Sequence, residues 1–393
     1  MTTLRRPSFF FRLLILSIVI LIGCSSNPIA PAAPTINAAA PILPTRTIEP
    51  VPVTPTPAPT IAPTREAATS YYSDGTHAYA TGHYTSALLS FTQAAQLDPN
   101  NALIYMSRAA VYQGLIDFDG AIADYTQAIQ LDPKNVTAYV NRGEVYALRK
   151  QFDLALKDMD YALVLTPNEP SVYVNRGRVI QSSGIITAAI DNYSHALQID
   201  PNYAPAYFYR ALAYINTRRP DQQTIDLRAI NDLSAVIGLQ PDNIDAYLAR
   251  AAAYVAGGDL GHALTDYTQA LAIDPENIEA LIQRGHLHDT RREFTAALQD
   301  LNQALLLEPQ SFDAFYNRGL TYLDQNQTDR AINDFTAAIA IDASKWRAFL
   351  QRGLSYENKN NRTSALANLK AALALTTNPT DKAIVQAEMD RLK

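Results

Sequence analysis

The stretch AIADYTQAIQLDP (Ala121–Pro133) returns as ALTDYTQALAIDP at Ala263–Pro275, and looser copies close on proline along most of the chain. Pro99, Pro133, Pro167 and Pro201 stand 34 residues apart; Pro241, Pro275 and Pro309 resume the interval, and Ala343 falls where the next proline would be. A period of this length holds two short helices and a turn, and such units stack into a solenoid rather than a compact catalytic domain. The predicted fold class is therefore all-α.

Aligned on the prolines, the chain divides into nine units: 68–101, 102–135, 136–169, 170–203, 204–243, 244–277, 278–311, 312–345 and 346–379. Ala87, Ala121, Ala155, Ala189, Ala229, Ala263, Ala297, Ala331 and Ala365 form one column. Seven residues later stand Ala94, Ala128, Ala162, Ala196, Ala270, Ala304, Ala338 and Ala372, with Val236 in the fifth unit. This spacing puts both columns on one face of the second helix, where a methyl group permits close approach of a neighbour. Between them, residues such as Phe91, Tyr125, Met159, Tyr193 and Phe335 fill the same face. In the first helix an aromatic column (Tyr105, Tyr139, Tyr173, Tyr207, Tyr247, Phe315, Phe349, with Leu281) is followed four residues on by glycine or alanine. Glycine costs a helix about 1 kcal/mol relative to alanine, so close packing must offset it. Proline ends the second helix because it cannot continue a helix interior.

From Thr69 to Asn378 this pattern resembles the tetratricopeptide repeat family. Tyr105, Ala109, Tyr112, Ala121, Tyr125, Ala128 and Pro133 match that family's aromatic, small, aromatic, small, aromatic, small and proline columns. The resemblance implies a right-handed superhelical solenoid of nine helix pairs over 67–379, with a concave wall, made mainly by first helices, that holds a peptide or another protein. Carried onto this sequence, the groove column is Met106, Val140, Val174, Phe208, Leu248, Ile282, Tyr316 and Leu350, with Leu212 one turn beyond Phe208. Beside it runs a partial amide row, Asn141, Asn175, Gln283, Asn317 and Gln351. Amides on a groove wall can bond an extended backbone without reading its side chains. Asp245, Glu279 and Asp313 line one edge, so the expected guest is an extended or helical segment with apolar anchors and basic residues. The competing reading of the apolar column is burial between helices. Some family members hold a terminal carboxylate with lysines on this wall; only Arg178 and Arg347 are candidates here.

Two features depart from the family pattern. The usual leucine before the Gly/Ala column is arginine: Arg108, Arg142, Arg176, Arg210, Arg250, Arg284, Arg318 and Arg352. Sixteen residues on stands Asp124, Asp158, Asp266, Asp300 or Asp334, with Asn192 and Asn368 as neutral substitutes and Asp232 delayed by an insertion. The first unit lacks the arginine and has Ser90 where the others have Asp or Asn, so a paired row is the simpler reading and an arginine row for an anionic ligand the alternative. The second departure is the surplus around Asn216–Gln223, six residues beyond the period, a tolerated loop or an addition to a binding face. Residues 380–393 read as a capping helix, with Ala383, Ile384, Ala387 and Leu392 turned toward the ninth unit.

The N-terminus speaks about location. Arg5, Arg6 and Arg12 precede an apolar run, Leu13 to Ile22, that suits a signal-peptide core and is short for a bilayer span. It ends Leu21-Ile22-Gly23-Cys24, which resembles the bacterial lipobox. That resemblance implies a signal peptide over 1–23, acylation of Cys24, and an extracytoplasmic protein tethered to membrane. The alternative is an uncleaved anchor helix. Two acyl chains give stable anchoring where one is marginal. With Ser25 rather than Asp after the cysteine, the resemblance favours the outer membrane of a two-membrane bacterium, or otherwise the outer face of the cytoplasmic membrane. The segment 24–66 is rich in proline, alanine and threonine, too poor in large apolar groups to build a core, and reads as a disordered, polyproline-like stalk. At ~3.1 Å per residue it reaches on the order of 100 Å if straight.

A formal net charge of −6, with both signs spread along the repeats, leaves no basic stripe for nucleic acid. No cofactor or metal is expected: there is a single cysteine, and His286 and His288 lie two apart on a helix, facing different sides. Asp98, Asp132, Asp200 and Asp274 recur beside proline as turn residues. The expectation is a non-enzymatic, membrane-anchored scaffold for protein–protein interaction or complex assembly at the cell envelope. A receptor for a non-protein ligand such as a glycan chain is the alternative.

Overall fold

The computed structural model describes residues 65–217 and 226–392. The leader, Cys24, the stalk up to Thr64 and the extra residues Arg218–Gln223 lie outside the described residues. What is described is helical, without a strand, in two compact units that divide at Thr217.

The first unit comprises α1 (Arg65–Ala80), α2 (Tyr84–Leu97), α3 (Ala102–Gly114), α4 (Phe118–Leu131), α5 (Val136–Leu148), α6 (Phe152–Leu165), α7 (Pro170–Ser182), α8 (Ile186–Ile199) and α9 (Ala204–Thr217). The second comprises α10 (Leu227–Leu239), α11 (Ile244–Gly257), α12 (Leu260–Ile273), α13 (Ile278–Thr290), α14 (Phe294–Leu307), α15 (Phe312–Asp324), α16 (Thr328–Ile341), α17 (Trp346–Asn358), α18 (Arg362–Leu375) and α19 (Pro379–Arg391).

The recurring Asp-Pro-x-Asn phrase performs two tasks at one corner. Asp132 Oδ1 accepts from the Lys134 N–H at 3.1 Å, folding the chain out of α4. Asn135 Oδ1 then accepts from the Ala138 N–H at 3.0 Å and caps α5. Asn243 and Asn277 cap α11 and α13 in the same way, each at 2.9 Å. Inside eight of the pairs, those whose connection is described, the first helix ends on one left-handed residue. Gly82, Gly184 and Gly258 take this conformation freely; Ile116, Lys150, Arg292, Asn326 and Asn360 adopt it with φ between 59° and 64°.

Both alanine columns are wholly buried, as their spacing requires. The glycine column is steric: a Cβ on Gly177 would lie 2.5 Å from a ring carbon of Tyr193, and one on Gly319 2.7 Å from Phe335. Separate apolar clusters run along each unit, centred on residues such as Met159 and Tyr193 in the first and on Tyr267, Leu301 and Phe335 in the second.

The arginine column resolves in favour of pairing. Arg250 donates from Nε and Nη2 to the two carboxylate oxygens of Asp266 at 2.9 and 2.8 Å, and from Nη1 to Ser234 Oγ at 2.8 Å. Arg142 repeats this with Asp158 and Thr126, and Arg318 with Asp334 and Asn302. Arg108 does so with Asp124 and, at 3.4 Å, with Thr92. These four guanidiniums thus tie their own second helix, 16 residues ahead, to the preceding second helix, 16 residues behind, whereas Arg284 bonds Asp300 ahead alone. Each of the four also lies over the aromatic one turn earlier, 5.5 Å from the Tyr105 centroid for Arg108 and 5.4 Å from Phe315 for Arg318. Arg176 reverses the charges, taking Asp160 behind and Asn192 ahead; Arg352 takes Thr336 behind and Asn368 ahead.

The capping helix corrects one expectation. On α19 the buried residues are Val385 and Met389, packed with Leu350 and Leu369, and Leu392 joins them. Ala383, Ile384 and Ala387 point outward. The helix starts at Pro379, capped by Asn378, and the stripe that meets the array is 385, 389 and 392, spaced four and three apart.

Candidate functional site

Successive first helices touch in both units, α5 on α7 and α7 on α9 in the first, α13 on α15 and α15 on α17 in the second. No two second helices are in comparable contact. The first helices therefore form the inner wall of each unit.

On that wall the apolar column is mostly seam. Val140, Val174, Leu248, Ile282, Tyr316 and Leu350 are buried and belong to the core clusters. Met106, Phe208 and Leu212 are half-buried; Met106 Sδ accepts from Asn135 Nδ2 at 3.3 Å, and Phe208 stands edge-on to Tyr209. The physical reason is that this position points along the wall toward the next first helix, which covers it. The amide row is more open: Asn141, Asn175, Gln283 and Asn317 are half-buried, and Gln351 is buried. Asn175 Oδ1 accepts from Arg178, and Asn317 Nδ2 donates to its own helix at the Asp313 carbonyl.

Several polar groups along the first unit's wall are paired with one another. Arg178 on α7 donates to Glu144 on α5 at 2.9 Å and lies 5.1 Å from the Tyr209 ring on α9. Burial pushes the Glu144 carboxyl up, and Arg178 pulls it back. Tyr125 and Tyr193 donate to Gln113 and Gln181 at 3.2 and 2.8 Å.

The second unit differs. Four buried side-chain atoms among the described residues lack a well-aligned hydrogen bond, His286 Nδ1, Asp289 Oδ1, Tyr316 OH and Arg347 Nε, with Gln351 beside the Tyr316 hydroxyl and Thr321 beside the Asp289 carboxyl. All four belong to three neighbouring first helices, α13, α15 and α17. Burial drives the His286 ring toward its neutral form. Burial, reinforced by the Asp324 carboxylate, pushes the Asp289 carboxyl up to about 7. Asp313 and Asp324 are raised too, chiefly by burial. This electrostatic contrast was not visible in the repeat columns, because His286, Asp289 and Asp324 each occur at their position in only one unit.

Family models described as "TPR repeat" match residues 117–149 and 253–289, and one described as "Tetratricopeptide repeat" matches 282–346. The matched stretches are tetratricopeptide repeats. Among solved structures similar to this repeat protein is that of the APC/C hetero-tetramer Cut9-Hcn1, with a TM-score of 0.52 and 16% identity over 79% of this chain and 60% of that one. It shares the helical-repeat fold. The MamA protein is 26% identical over 45% of this chain and 94% of its own, at a TM-score of 0.36. YrrB, described as a TPR protein with an unusual peptide-binding site, is 22% identical over 49% of this chain and 95% of its own, at a TM-score of 0.34. No curated protein sequence matches the chain.

Among the described residues of the repeat array, no three His, Cys, Asp or Glu side chains are placed to share a metal ion. No helix there is long and apolar enough to cross a membrane.

Proposed function

We propose that this repeat protein is a non-enzymatic scaffold that assembles other proteins at the bacterial cell envelope, holding a partner segment on the inner wall of its first helices. The observation that carries the reading is the inner wall itself: first helices in contact, presenting half-buried amides with spare donors and acceptors beside a closed apolar seam. Such a surface suits a backbone laid across it. Anchoring through an acylated Cys24 rests on the Leu21-Ile22-Gly23-Cys24 sequence and its basic, apolar lead-in.

Two measurements test this. Proteins captured on the full chain are compared with those captured on Asn141→Arg and Gln283→Arg, both half-buried wall positions. Loss of specific partners with an unchanged melting curve supports the scaffold. Capture indifferent to both substitutions refutes it, and retention on cell-wall polysaccharide alone replaces it with a glycan receptor. For the anchor, Cys24→Ser should leave the chain uncleaved and without acyl mass at its N-terminus; normal cleavage of that variant would refute lipidation.

A further inference from the structure

One edge of the first unit carries apolar side chains that the repeat does not need there. The turns from α1 to α2, α3 to α4, α5 to α6 and α7 to α8 lie side by side along it. A Cβ on Gly114, at the end of α3, would touch the Tyr84 ring at the start of α2; Arg149, after α5, bonds Asp119 at the start of α4; and Val179 on α7 shares a cluster with Phe152 at the start of α6. Leu115, Ile116, Leu148 and Ile185 stand on these turns, between 42% and 73% exposed. At the same repeat positions the second unit has Gly257, Gly258, Thr290 and Gln327, so its rim lacks all four apolar groups.

Two of the four work against the fold itself. Ile116 is β-branched and left-handed at φ 62°, where Gly184 and Gly258 make the same turn without strain. Ile185 holds the N-cap of α8 without a side-chain acceptor, whereas Asp117, at the same position before α4, accepts from the Gly120 N–H at 3.0 Å. Apolar groups gathered at one edge, exposed and locally unfavourable, mark a surface that meets something apolar. The charged residues along these turns are Asp117, Asp119, Arg149, Lys150 and Asp153, a near-balanced set, so the attraction is apolar and not electrostatic.

We propose that this rim is a membrane-contact edge: Leu115, Ile116, Leu148 and Ile185 enter the headgroup layer of the bilayer that holds an acylated Cys24. This rests on the anchored reading above and adds how the array meets the surface. The position of the tether selects a bilayer over a soluble partner. The chain from Cys24 to Thr64 leads into α1, so the unit with the apolar rim is the one next to the anchor in sequence, and the later unit carries the polar rim. The stalk joins α1 at the end away from the first turn, 16 residues or about 24 Å from it, and a segment of the stalk's length, at ~3.1 Å per residue, can bring the rim back to the surface. The apolar groups are single side chains on successive turn tips, which suits insertion among lipid headgroups. Tethering supplies a high effective concentration, so a contact too weak to hold a free protein can hold this one.

The test uses the acylated chain in phosphatidylcholine vesicles, labelled with a polarity-sensitive fluorophore at Lys150→Cys or Asn360→Cys. Both are exposed left-handed turn residues, one in each unit, and an acylated Cys24 takes no label. The label at 150 should shift to the blue and lose brightness severalfold to lipids spin-labelled on the acyl chain; the label at 360 should do neither, and added salt should change nothing. The variant Leu115→Ser, Ile116→Asn, Leu148→Ser, Ile185→Asp should still float with the vesicles and melt no lower, since it relieves the left-handed isoleucine and restores a cap, while its label at 150 returns to water. A floating chain whose label at 150 stays in water, an unaffected quadruple variant, or a label shielded equally without vesicles, as by a second copy or a protein partner, overturns the membrane edge and leaves the anchor standing. A chain that does not float overturns both.

Discussion

Removing Arg250 should expose how much the array depends on its guanidinium staples. Asp266 is left with a side chain only 4% exposed, and Arg250 supplies two of its hydrogen bonds as well as its counter-charge. Breaking a buried pair from one side costs about 3–5 kcal/mol, because the stranded charge has no water to receive it. Arg250→Met should fall in that range, with the Ser234 bond lost in addition. Asp266→Leu should cost about 2 kcal/mol, since the arginine, 18% exposed, can turn part of its charge to solvent. The double variant replaces the pair with apolar groups and should cost only about 1 kcal/mol, so the two singles over-count by about 4–6 kcal/mol. Long repeat arrays do not unfold in one step, so the local reading is amide hydrogen exchange in α11 and α12, supported by urea denaturation of the full chain. Additivity within about 0.5 kcal/mol would refute the pairing argument. Arg352→Met is the internal control: its forward partner is the neutral Asn368, and its loss should be near 1–1.5 kcal/mol.

Three further outcomes follow from the geometry. The Asp289 carboxyl titrates near 7 in the folded chain against about 3.9 unfolded, so its folded form holds the proton more tightly and its contribution is lost as pH rises from about 4 to 7. Asp289→Asn should therefore raise stability at pH 8, by up to about 4 kcal/mol, and do nothing at pH 3.5; an equal gain at both would contradict the assignment. Ile116, β-branched, 73% exposed and left-handed at φ 62°, should yield about 0.5–1 kcal/mol of added stability as Ile116→Gly by chemical denaturation, and a loss would show that the backbone there is not strained. Gly177→Ala should cost about 1–3 kcal/mol through its 2.5 Å approach to Tyr193, measured against unchanged exchange in α3 and α4.

What could be read from sequence was whatever repeats. Ala121, Tyr125 and Ala128 announce a helix face because their spacing recurs in unit after unit, and the arginine–aspartate pairing was legible because the first unit departs at both positions. The arginine's second acceptor was equally periodic, as Thr92, Thr126, Asp160, Ser194, Ser234, Asn302 and Thr336, yet it hides in chemical variety: hydroxyl, amide and carboxylate share only the ability to accept. The register of α19 escaped because the last helix has no sister to align with, and apolar residues stand both at 383, 384 and 387 and at 385, 389 and 392. The column from Met106 to Leu350 marks inward-facing positions, but periodicity gives direction, not depth. Only packing shows that Val174 is covered while Asn175 beside it is not.

The reach of the staple, sixteen residues either way, has a genetic corollary. Each guanidinium asks only for a carboxylate or amide ahead and an acceptor behind, and most regular units supply both. A crossover between equivalent codons of two units, adding or deleting one whole period, would hand most of the remaining arginines a serviceable pair of neighbours. The array can thus lengthen or shorten in a single recombination without an intermediate that fails to fold, and the reach of its wall becomes a quantity that selection can tune in whole steps.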